Sequence, residues 1–250
     1  MEHLKGFLKY AIIAVIVAGC LIFLNNWYND VNPSVDMKNV ELVQLDAINH
    51  KIDEGRQIAI IDTSLGEMRA VLYPEYAPNT VSNFVNLAES GYYDGTYIFR
   101  VEKGIYFAGG SPNEDGTIDS EAAKQDNEKI KNEYNDNLWP FRGAIFSMSA
   151  TDGYGGSRFM VGNSIVFDDE TKEEIMKVDE DTRLAEAFIE YGGIPNFSHQ
   201  LTVFAQIYDG LDTLDKITAV EVSDDDNKYP KKDIIINSIK ISTYSQKTSE

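Results

Sequence analysis

Few side chains in this sequence have the type and spacing that most enzymatic chemistries require. One cysteine and three scattered histidines exclude a Cys/His zinc site, which needs several such ligands at short spacing. The segment from Ser111 to Ala122 imitates a calcium loop, but neither end supplies the carboxylate that such a loop needs. The sequence has no phosphate-binding loop and no Gly-x-Ser-x-Gly nucleophile elbow. We therefore expect a protein that acts without a metal and without a cofactor.

The composition indicates an acidic globular protein. A chain of 250 residues with 43% hydrophobic residues can build a core, and 22 Lys and Arg against 41 Asp and Glu give a net charge of −19. Basic side chains that neutralise phosphates supply most of the affinity for nucleic acids. Nucleic acid is therefore not an expected partner.

An apolar run near the N-terminus predicts attachment to a membrane. Residues 7–24 are almost entirely apolar, with Lys5 and Lys9 before or within the run and Trp27 and Tyr28 after it. Lysines on the cytoplasmic side and aromatic residues at the interface are typical of a spanning helix. This interpretation places everything after Leu24 outside the cytoplasm.

The same run supports a second interpretation. Residues 17–20, Val-Ala-Gly-Cys, resemble a bacterial lipobox, in which Cys20 would be lipidated after cleavage, although the run continues apolar beyond it. An uncleaved helix and a lipoprotein both tether an extracytoplasmic domain to the cell membrane. The third interpretation of this apolar run is a buried core helix.

The rest of the chain is expected to divide into a linker, one folded domain and a tail. Residues 25–57 are polar and predict a linker with one short helix, residues 58–244 the folded domain, and residues 245–250 a tail. Many short apolar runs separated by glycine-rich turns favour a closed antiparallel sheet. Helical spacing predicts one helix from Pro78 and another from Leu211, and residues 168–195 predict an acidic helical insert on the surface.

Several motifs in this domain resemble, in order, the signature of the cyclophilin-type peptidyl-prolyl cis-trans isomerases. They are Ala77–Phe84, Gly91–Thr96, Arg100, Gly109–Gly110, Pro112, Gly143–Ser149, Gly156–Phe159, Thr202–Phe204 and Asp209–Asp212. The insert is similar to that of a bacterial, membrane-anchored subgroup. The resemblance implies a mainly β fold: an eight-stranded antiparallel barrel capped by two helices, with a peptide groove on its outer face.

The reaction of that family is assisted by a cation and requires no nucleophile. Amide resonance gives an X–Pro bond a rotational barrier of ~18–20 kcal/mol, which a guanidinium hydrogen-bonded to the prolyl nitrogen or the adjacent carbonyl lowers. Arginine stays charged and offers several donors in a fixed fork. The resemblance implies that Arg100 is the catalytic residue.

The other implied groove positions depart from the family. Ile105, Tyr106 and Ala108 stand where Phe, Met and Gln are usual, Met160 replaces a phenylalanine and Ser149 an alanine. In the last active-site stretch, residues 196–201 stand where the family has Trp-Leu-Asp-Gly-Lys-His. Phe197 therefore replaces the leucine and still supplies an apolar wall, and Leu201 replaces the histidine. His199 is either a substitute for that histidine or a solvent-exposed turn residue.

These departures predict a weakened isomerase. A hydrogen bond is worth about 0.5–3 kcal/mol, so losing the glutamine and the histidine would slow turnover roughly ten- to a thousandfold. We expect an isomerase that assists the folding of exported proteins, with proline-containing peptides or unfolded exported chains as its partners. The alternative is a noncatalytic peptide-binding module or chaperone at the membrane surface.

Overall fold

The computed structural model of the chain describes residues 37–118, 130–149, 153–177 and 181–246. The chain divides into two units, Met1–Val40 and Glu41–Glu250. The described part of the first unit contains one short 3-10 helix, Met37–Asn39. Within the described ranges, no helix combines the length and the apolarity needed to cross a bilayer. The apolar run at 7–24 and Cys20 lie outside those ranges.

The second unit is built on an antiparallel sheet. Its strands, among the described residues, are β1 (Gln57–Thr63), β2 (Gly66–Leu72), β3 (Thr96–Glu102), β4 (Tyr106–Ser111), β5 (Ile130–Lys131), β6 (Ala144–Ser149), β7 (Tyr154–Gly162), β8 (Thr202–Asp209) and β9 (Ile235–Thr243). Eight of them follow the order β4-β3-β9-β1-β2-β8-β6-β7, and β7 pairs back with β4. The short β5 pairs with β7. The predicted closed antiparallel barrel is therefore confirmed.

The first hairpin shows why the chain turns where it does. Thr63 and Gly66 are paired residues that leave a two-residue turn between β1 and β2, and the Thr63 hydroxyl donates to the Gly66 carbonyl at 2.7 Å. Gly66 has a φ of +138°, and a Cβ there would lie 2.5 Å from Oγ1 of Thr213. Only glycine satisfies both the backbone conformation and the close approach.

Five α-helices accompany the strands in the described part of the second unit. They are α1 (Gln44–Ile48), α2 (Pro78–Glu89), α3 (Asp169–Ile175), α4 (Arg183–Tyr191) and α5 (Leu211–Thr218), and a 3-10 helix covers Pro195–Phe197. The two helices predicted from Pro78 and Leu211 are present as α2 and α5. Both bury one apolar stripe in the core of the barrel, through Phe84 and Leu87 in α2 and Leu214 and Ile217 in α5.

The N-terminus of α2 is capped by a distant residue. The Glu133 carboxylate accepts hydrogen bonds from the backbone N–H and the side chain of Thr80, both at 2.8 Å, and from those of Asn79 at 3.2 and 2.7 Å. The first N–H groups of a helix have no partner within the helix. Glu133 therefore satisfies these donors and places a negative charge at the positive end of the helix dipole.

Strand alternation divides the apolar residues between the inside and the outside of the barrel. The inner core takes Phe107 from β4, Phe159 and Val161 from β7, and Ile145 from β6. The intervening strand residues face outward and, with residues from α1 and from loops, form a second cluster, which we call the outer cluster. Its buried members are Ala47, Ile52, Ile58, Val71, Tyr73, Phe99, Ala108, Leu138, Ala144, Phe146, Met160 and Val203.

Residues 41–57 form part of the same compact unit as the barrel, whereas the sequence predicts a linker up to residue 57. The expected short helix is α1, and its first residue, Gln44, is fully buried. The Gln44 amide donates to Oε1 of Gln206 and to the carbonyl of Trp139, both at 2.9 Å, and accepts from the Trp139 N–H at 2.5 Å. These polar contacts carry no hydrophobic signal, so the sequence pattern predicts a linker here.

The acidic insert contains two helices rather than one. All residues of α3 are at least partly exposed, as expected for a surface segment. In α4, however, Phe188 is buried, and its ring lies 4.7 Å from that of Phe141. The second half of the insert therefore packs on the body of the domain.

Candidate functional site

Strand pairing places four residues in one row across four adjacent strands. Arg100 on β3 is opposite Ala108 on β4, Ala108 is opposite Met160 on β7, and Met160 is opposite Phe146 on β6. Directly paired residues share one face of a sheet. Because Ala108, Met160 and Phe146 belong to the outer cluster, the row lies on the outer face and runs from a cation to an apolar wall.

The Arg100 guanidinium is held by its neighbours and is about one-third exposed. Its Nη1 donates to the main-chain carbonyl of Asp226 at 2.9 Å and of Asn227 at 3.4 Å, and its Nε donates to the Tyr106 hydroxyl at 3.2 Å. Nη2 lies 3.7 Å from a Glu102 carboxylate oxygen. These contacts fix the plane of the guanidinium, and Nη2 makes no hydrogen bond among the described residues.

Aromatic and aliphatic side chains line the surface beside Arg100. The Tyr106 and Phe197 rings lie 5.9 Å apart, and the Phe197 ring meets that of Phe146 edge-on at 6.1 Å. Tyr106, Phe197, Met148 and Leu201 are half-buried and pack against the outer cluster. The structure thus places Tyr106, Phe197 and Leu201 against the same cluster that contains Ala108 and Met160.

Two other predicted site residues are placed differently. Ile105 lies in the turn before β4, is partly exposed, and belongs to neither hydrophobic cluster of the described residues; its carbonyl accepts the N–H of Asn163 at 2.6 Å. Ser149 is the last residue of β6, opposite Gly155, and is partly exposed. Ile105 therefore does not belong to the apolar wall beside Arg100.

His199 packs away from the row. It has a left-handed φ of +55° in the turn before β8, and its ring lies 5.2 Å from that of Trp139 and 6.5 Å from that of Tyr134. Nε2 is 3.1 Å from an Asp136 carboxylate oxygen without hydrogen-bonding geometry. The turn position agrees with one of the two interpretations from the sequence, but the side chain is about one-third exposed rather than fully solvated.

The outer cluster also buries a phenol. Tyr73 is 3% exposed, its hydroxyl has no hydrogen-bond partner among the described residues, and the Arg56 guanidinium lies 5.4 Å from its ring. Burial raises the pKa of Tyr73 well above its ordinary value of 10.0, and the Arg56 charge opposes this rise. The Tyr73 side chain therefore stays neutral at physiological pH.

Sequence reasoning missed four residues of this surface. Met148 extends the apolar wall, and the fully buried Phe146 packs against Phe197 beneath it. Strand alternation around Ile145 could have placed both residues on the outer face. The carbonyls of Asp226 and Asn227 give no signal in the sequence, because any residue type supplies a carbonyl.

The arrangement offers a fixed cation beside an apolar surface. In the parts of the chain that the structure describes, no group of three or more His, Cys, Asp or Glu side chains could hold a metal ion. The chemistry available at the row is therefore hydrogen bonding and charge stabilisation by Arg100, with apolar contact from its neighbours.

Comparison with known proteins gives one family match. The model of the family described as "Cyclophilin type peptidyl-prolyl cis-trans isomerase/CLD" matches residues 58–241. That range begins within β1 and ends within β9, so it includes most or all of every barrel strand and the whole row.

Two bacterial relatives have related names. A Streptococcus pyogenes protein, named as a candidate bifunctional phosphatase/peptidyl-prolyl cis-trans isomerase, is 35% identical over 207 residues, which cover 82% of this chain and 42% of that protein. This chain therefore spans less than half the length of the streptococcal relative. A Staphylococcus aureus protein, named as a candidate peptidyl-prolyl cis-trans isomerase, is 29% identical over 194 residues, covering 78% of this chain and 96% of the relative.

Among solved structures, a cyclophilin-type peptidyl-prolyl cis-trans isomerase from Cryptosporidium parvum has a similar fold. Its structure in the presence of the dipeptide Ala-Pro matches with a TM-score of 0.56 at 22% identity, covering 75% of this chain and 99% of that one. A second structure of the same protein gives a TM-score of 0.57 at 21% identity. These likenesses show a shared fold.

Proposed function

The chain belongs to the family of cyclophilin-type peptidyl-prolyl cis-trans isomerases, and from this membership we propose that it accelerates X–Pro isomerisation in unfolded exported proteins while tethered to a membrane. The row from Arg100 to Phe146 is the observation that carries the proposal. Arg100 is about one-third exposed, and the partly exposed Tyr106, Phe197 and Leu201 pack beside the buried part of the row. A charged donor and an apolar surface therefore lie next to each other, which are the two features that a twisting prolyl bond requires.

The mechanism follows from the electronics of the amide. Resonance gives the C–N bond its double-bond character and its barrier of ~18–20 kcal/mol. When Arg100 donates to the prolyl nitrogen, the nitrogen lone pair is drawn away from the carbonyl, and the bond turns more easily. Met160 and Phe197 hold the proline ring by apolar contact while the preceding residue rotates. The fully buried Phe146 packs against the Phe197 ring and supports it.

We expect the activity to be weakened. Ala108 sits opposite Arg100 and offers only a methyl group, and Leu201 packs against the outer cluster as an apolar residue. Neither side chain can donate a hydrogen bond to a peptide. Each missing hydrogen bond to the transition state is worth about 0.5–1.5 kcal/mol, or roughly two- to tenfold in rate.

The test is exchange NMR on a short Ala-Pro peptide with the full chain and with its Arg100→Ala variant. We expect the wild type to accelerate exchange and the variant to lose that acceleration. Arg69→Ala is the matched control, because Arg69 is a half-exposed arginine of the barrel whose hydrogen-bond partner is Glu67. Activity that persists in Arg100→Ala would contradict the assignment of Arg100.

The proposed location rests on residues 7–24, with either an uncleaved helix or lipidated Cys20 as the anchor. Membrane fractionation of the wild type and Cys20→Ala separates the two. A lipoprotein would carry a lipid mass on Cys20 that the variant lacks, whereas a helix-anchored protein would remain in the membrane fraction without it. Protease added outside intact cells should remove the barrel in both cases.

One observation favours the noncatalytic alternative. Nε and Nη1 of Arg100 already donate to protein acceptors, and Ala108 supplies no second donor, so the groove retains its apolar contacts better than its hydrogen bonds. A peptide whose NMR signals shift on addition of the wild type while its exchange rate stays unchanged would identify a binding module or chaperone instead of an isomerase.

A further inference from the structure

Tyr106 and Arg100 form a hydrogen bond whose direction is fixed by chemistry. A guanidinium can only donate, so the Tyr106 oxygen accepts from Nε of Arg100 at 3.2 Å. The hydroxyl proton of Tyr106 must then point elsewhere, and the Tyr106 hydroxyl has no second hydrogen-bond partner among the described residues. The phenol therefore keeps one donor beside the guanidinium.

The small residue at position 108 makes room for this contact. Tyr106 and Ala108 are two positions apart on β4 and so share one face of the strand, and Ala108 is directly opposite Arg100. Tyr106 is thus the diagonal neighbour of Arg100, at a distance that only a long or aromatic side chain spans. A larger side chain at position 108 would stand between the phenol and the guanidinium.

From this geometry we propose that Tyr106 is a second catalytic residue, whose hydroxyl donates a hydrogen bond to a backbone carbonyl oxygen of the bound peptide while Arg100 acts on the prolyl nitrogen. The proposal rests on the proposed function. It assigns to the phenol of Tyr106 the donor role that Ala108 cannot fill. No covalent bond forms or breaks: the proton stays on the phenol oxygen, and only the torsion about the C–N bond changes.

Two features of the surroundings suit Tyr106 to this role. A hydrogen bond accepted from a cation polarises the phenol and strengthens its own O–H as a donor. The Phe197 ring, 5.9 Å from that of Tyr106, restricts the ring and so the direction of the hydroxyl. The donor is therefore positioned before the peptide arrives, which lowers the entropy lost on binding.

The experiment compares the full-length wild type with Tyr106→Phe and with the double variant Tyr106→Met/Ala108→Gln. Tyr106→Phe keeps the ring and its contact with Phe197 but removes the hydroxyl. The double variant removes the phenol and returns an amide donor to position 108. Exchange NMR gives kcat/KM on an Ala-Pro peptide, peptide chemical shifts give the dissociation constant, and a backbone amide spectrum shows that each variant is folded.

We expect Tyr106→Phe to lower kcat/KM about five- to twentyfold while the dissociation constant changes less than threefold, and the double variant to recover most of the loss. A wild-type rate in Tyr106→Phe would overturn the role of Tyr106 and leave the isomerase standing. A parallel loss of rate and affinity would also overturn it, because Tyr106 would then contribute only to binding. Absence of acceleration by the wild type would overturn the isomerase function itself.

Discussion

Nη1 of Arg100 donates a hydrogen bond to the main-chain carbonyl of Asp226 at 2.9 Å, although 126 positions separate the two residues. The turn that carries this carbonyl is itself held in place. The Asp225 carboxylate accepts from the Ser223 hydroxyl and the Asn227 N–H, and the Lys228 carbonyl accepts the N–H of Val101 on β3. The orientation of the guanidinium therefore depends on the shape of this turn as well as on the strand that bears Arg100.

We predict that Arg100→Lys lowers kcat/KM about ten- to a hundredfold while the peptide dissociation constant changes less than threefold. Lysine keeps the positive charge but lacks the planar fork that donates to Asp226 and Tyr106 simultaneously. Exchange NMR and peptide titration provide the two measurements. A lysine variant with the wild-type rate would show that charge alone is sufficient.

We predict that Gln44→Leu lowers the free energy of unfolding by about 2–4 kcal/mol. The change leaves buried groups of Trp139 and Gln206 without partners, and each such group costs about 1–3 kcal/mol. Urea denaturation gives the value, with Gln246→Leu as the control because Gln246 is exposed. Equal stability of Gln44→Leu and the control would mean that α1 contributes little to the domain.

We predict that Glu133→Gln destabilises the protein by about 1–2 kcal/mol. The amide loses the negative charge at the N-terminus of α2 and part of the acceptor capacity used by Asn79 and Thr80. Glu89→Gln is the matched control, since Glu89 is an exposed glutamate in the last turn of the same helix, where a negative charge is unfavourable. The control should be neutral or slightly stabilising, and thermal unfolding distinguishes the two.

We predict that stability falls above pH 10 and that Tyr73→Phe makes the fall less steep. Burial raises the pKa of Tyr73 above its unfolded value of 10.0, so the unfolded chain loses that proton first as the pH rises. The contribution of neutral Tyr73 to the free energy of unfolding is therefore fully present below pH 10. Above pH 10 the free energy of unfolding declines by about 1.4 kcal/mol per pH unit.

Denaturation as a function of pH measures this slope. Because the Tyr73 hydroxyl has no partner among the described residues, Tyr73→Phe should be at least as stable as the wild type at pH 7. Tyr154→Phe is the control, as that side chain is 41% exposed. An unchanged alkaline slope in Tyr73→Phe would contradict the prediction.

We predict that His199→Asn leaves kcat/KM within twofold of the wild type. His199 contacts Trp139 and Asp136 rather than the row, and asparagine tolerates the left-handed backbone of this turn. The measurement is the same peptide exchange assay. A tenfold loss in a folded variant would instead support His199 as the substitute for the histidine replaced by Leu201.

The barrel and its two core-packed helices could be predicted because their signals are local and repeated. Val81, Phe84 and Leu87 show the helical period of α2 in the sequence itself, and the hairpin before it is marked by Gly66. The role of Arg100 and the places of Met160 and Phe197 beside it are what the resemblance to the cyclophilin family implies. The strand pattern and the two helices depend on residue type and spacing alone.

The features that could not be predicted depend on contacts between distant polar groups. The sequence pattern places Gln44 in a linker, yet Gln44 is buried because Gln206, 162 positions later, supplies a hydrogen-bond acceptor. The bond between Tyr106 and Arg100 depends on the direction of two side chains, and Phe188 is buried because Phe141 lies against it. Hydrophobic periodicity carries no information about such pairs.

The pairing of β1 with β9 has a consequence for how the protein is made. Gln57 at the start of β1 is opposite Thr243 at the end of β9, so the barrel closes between its first and last strands. During synthesis from the N-terminus, β1 and β3 each keep one unpaired edge until β9 has been synthesised. Unpaired strand edges can pair with other chains and aggregate. The last strand of the barrel to be synthesised therefore determines when these edges are paired and the barrel can close.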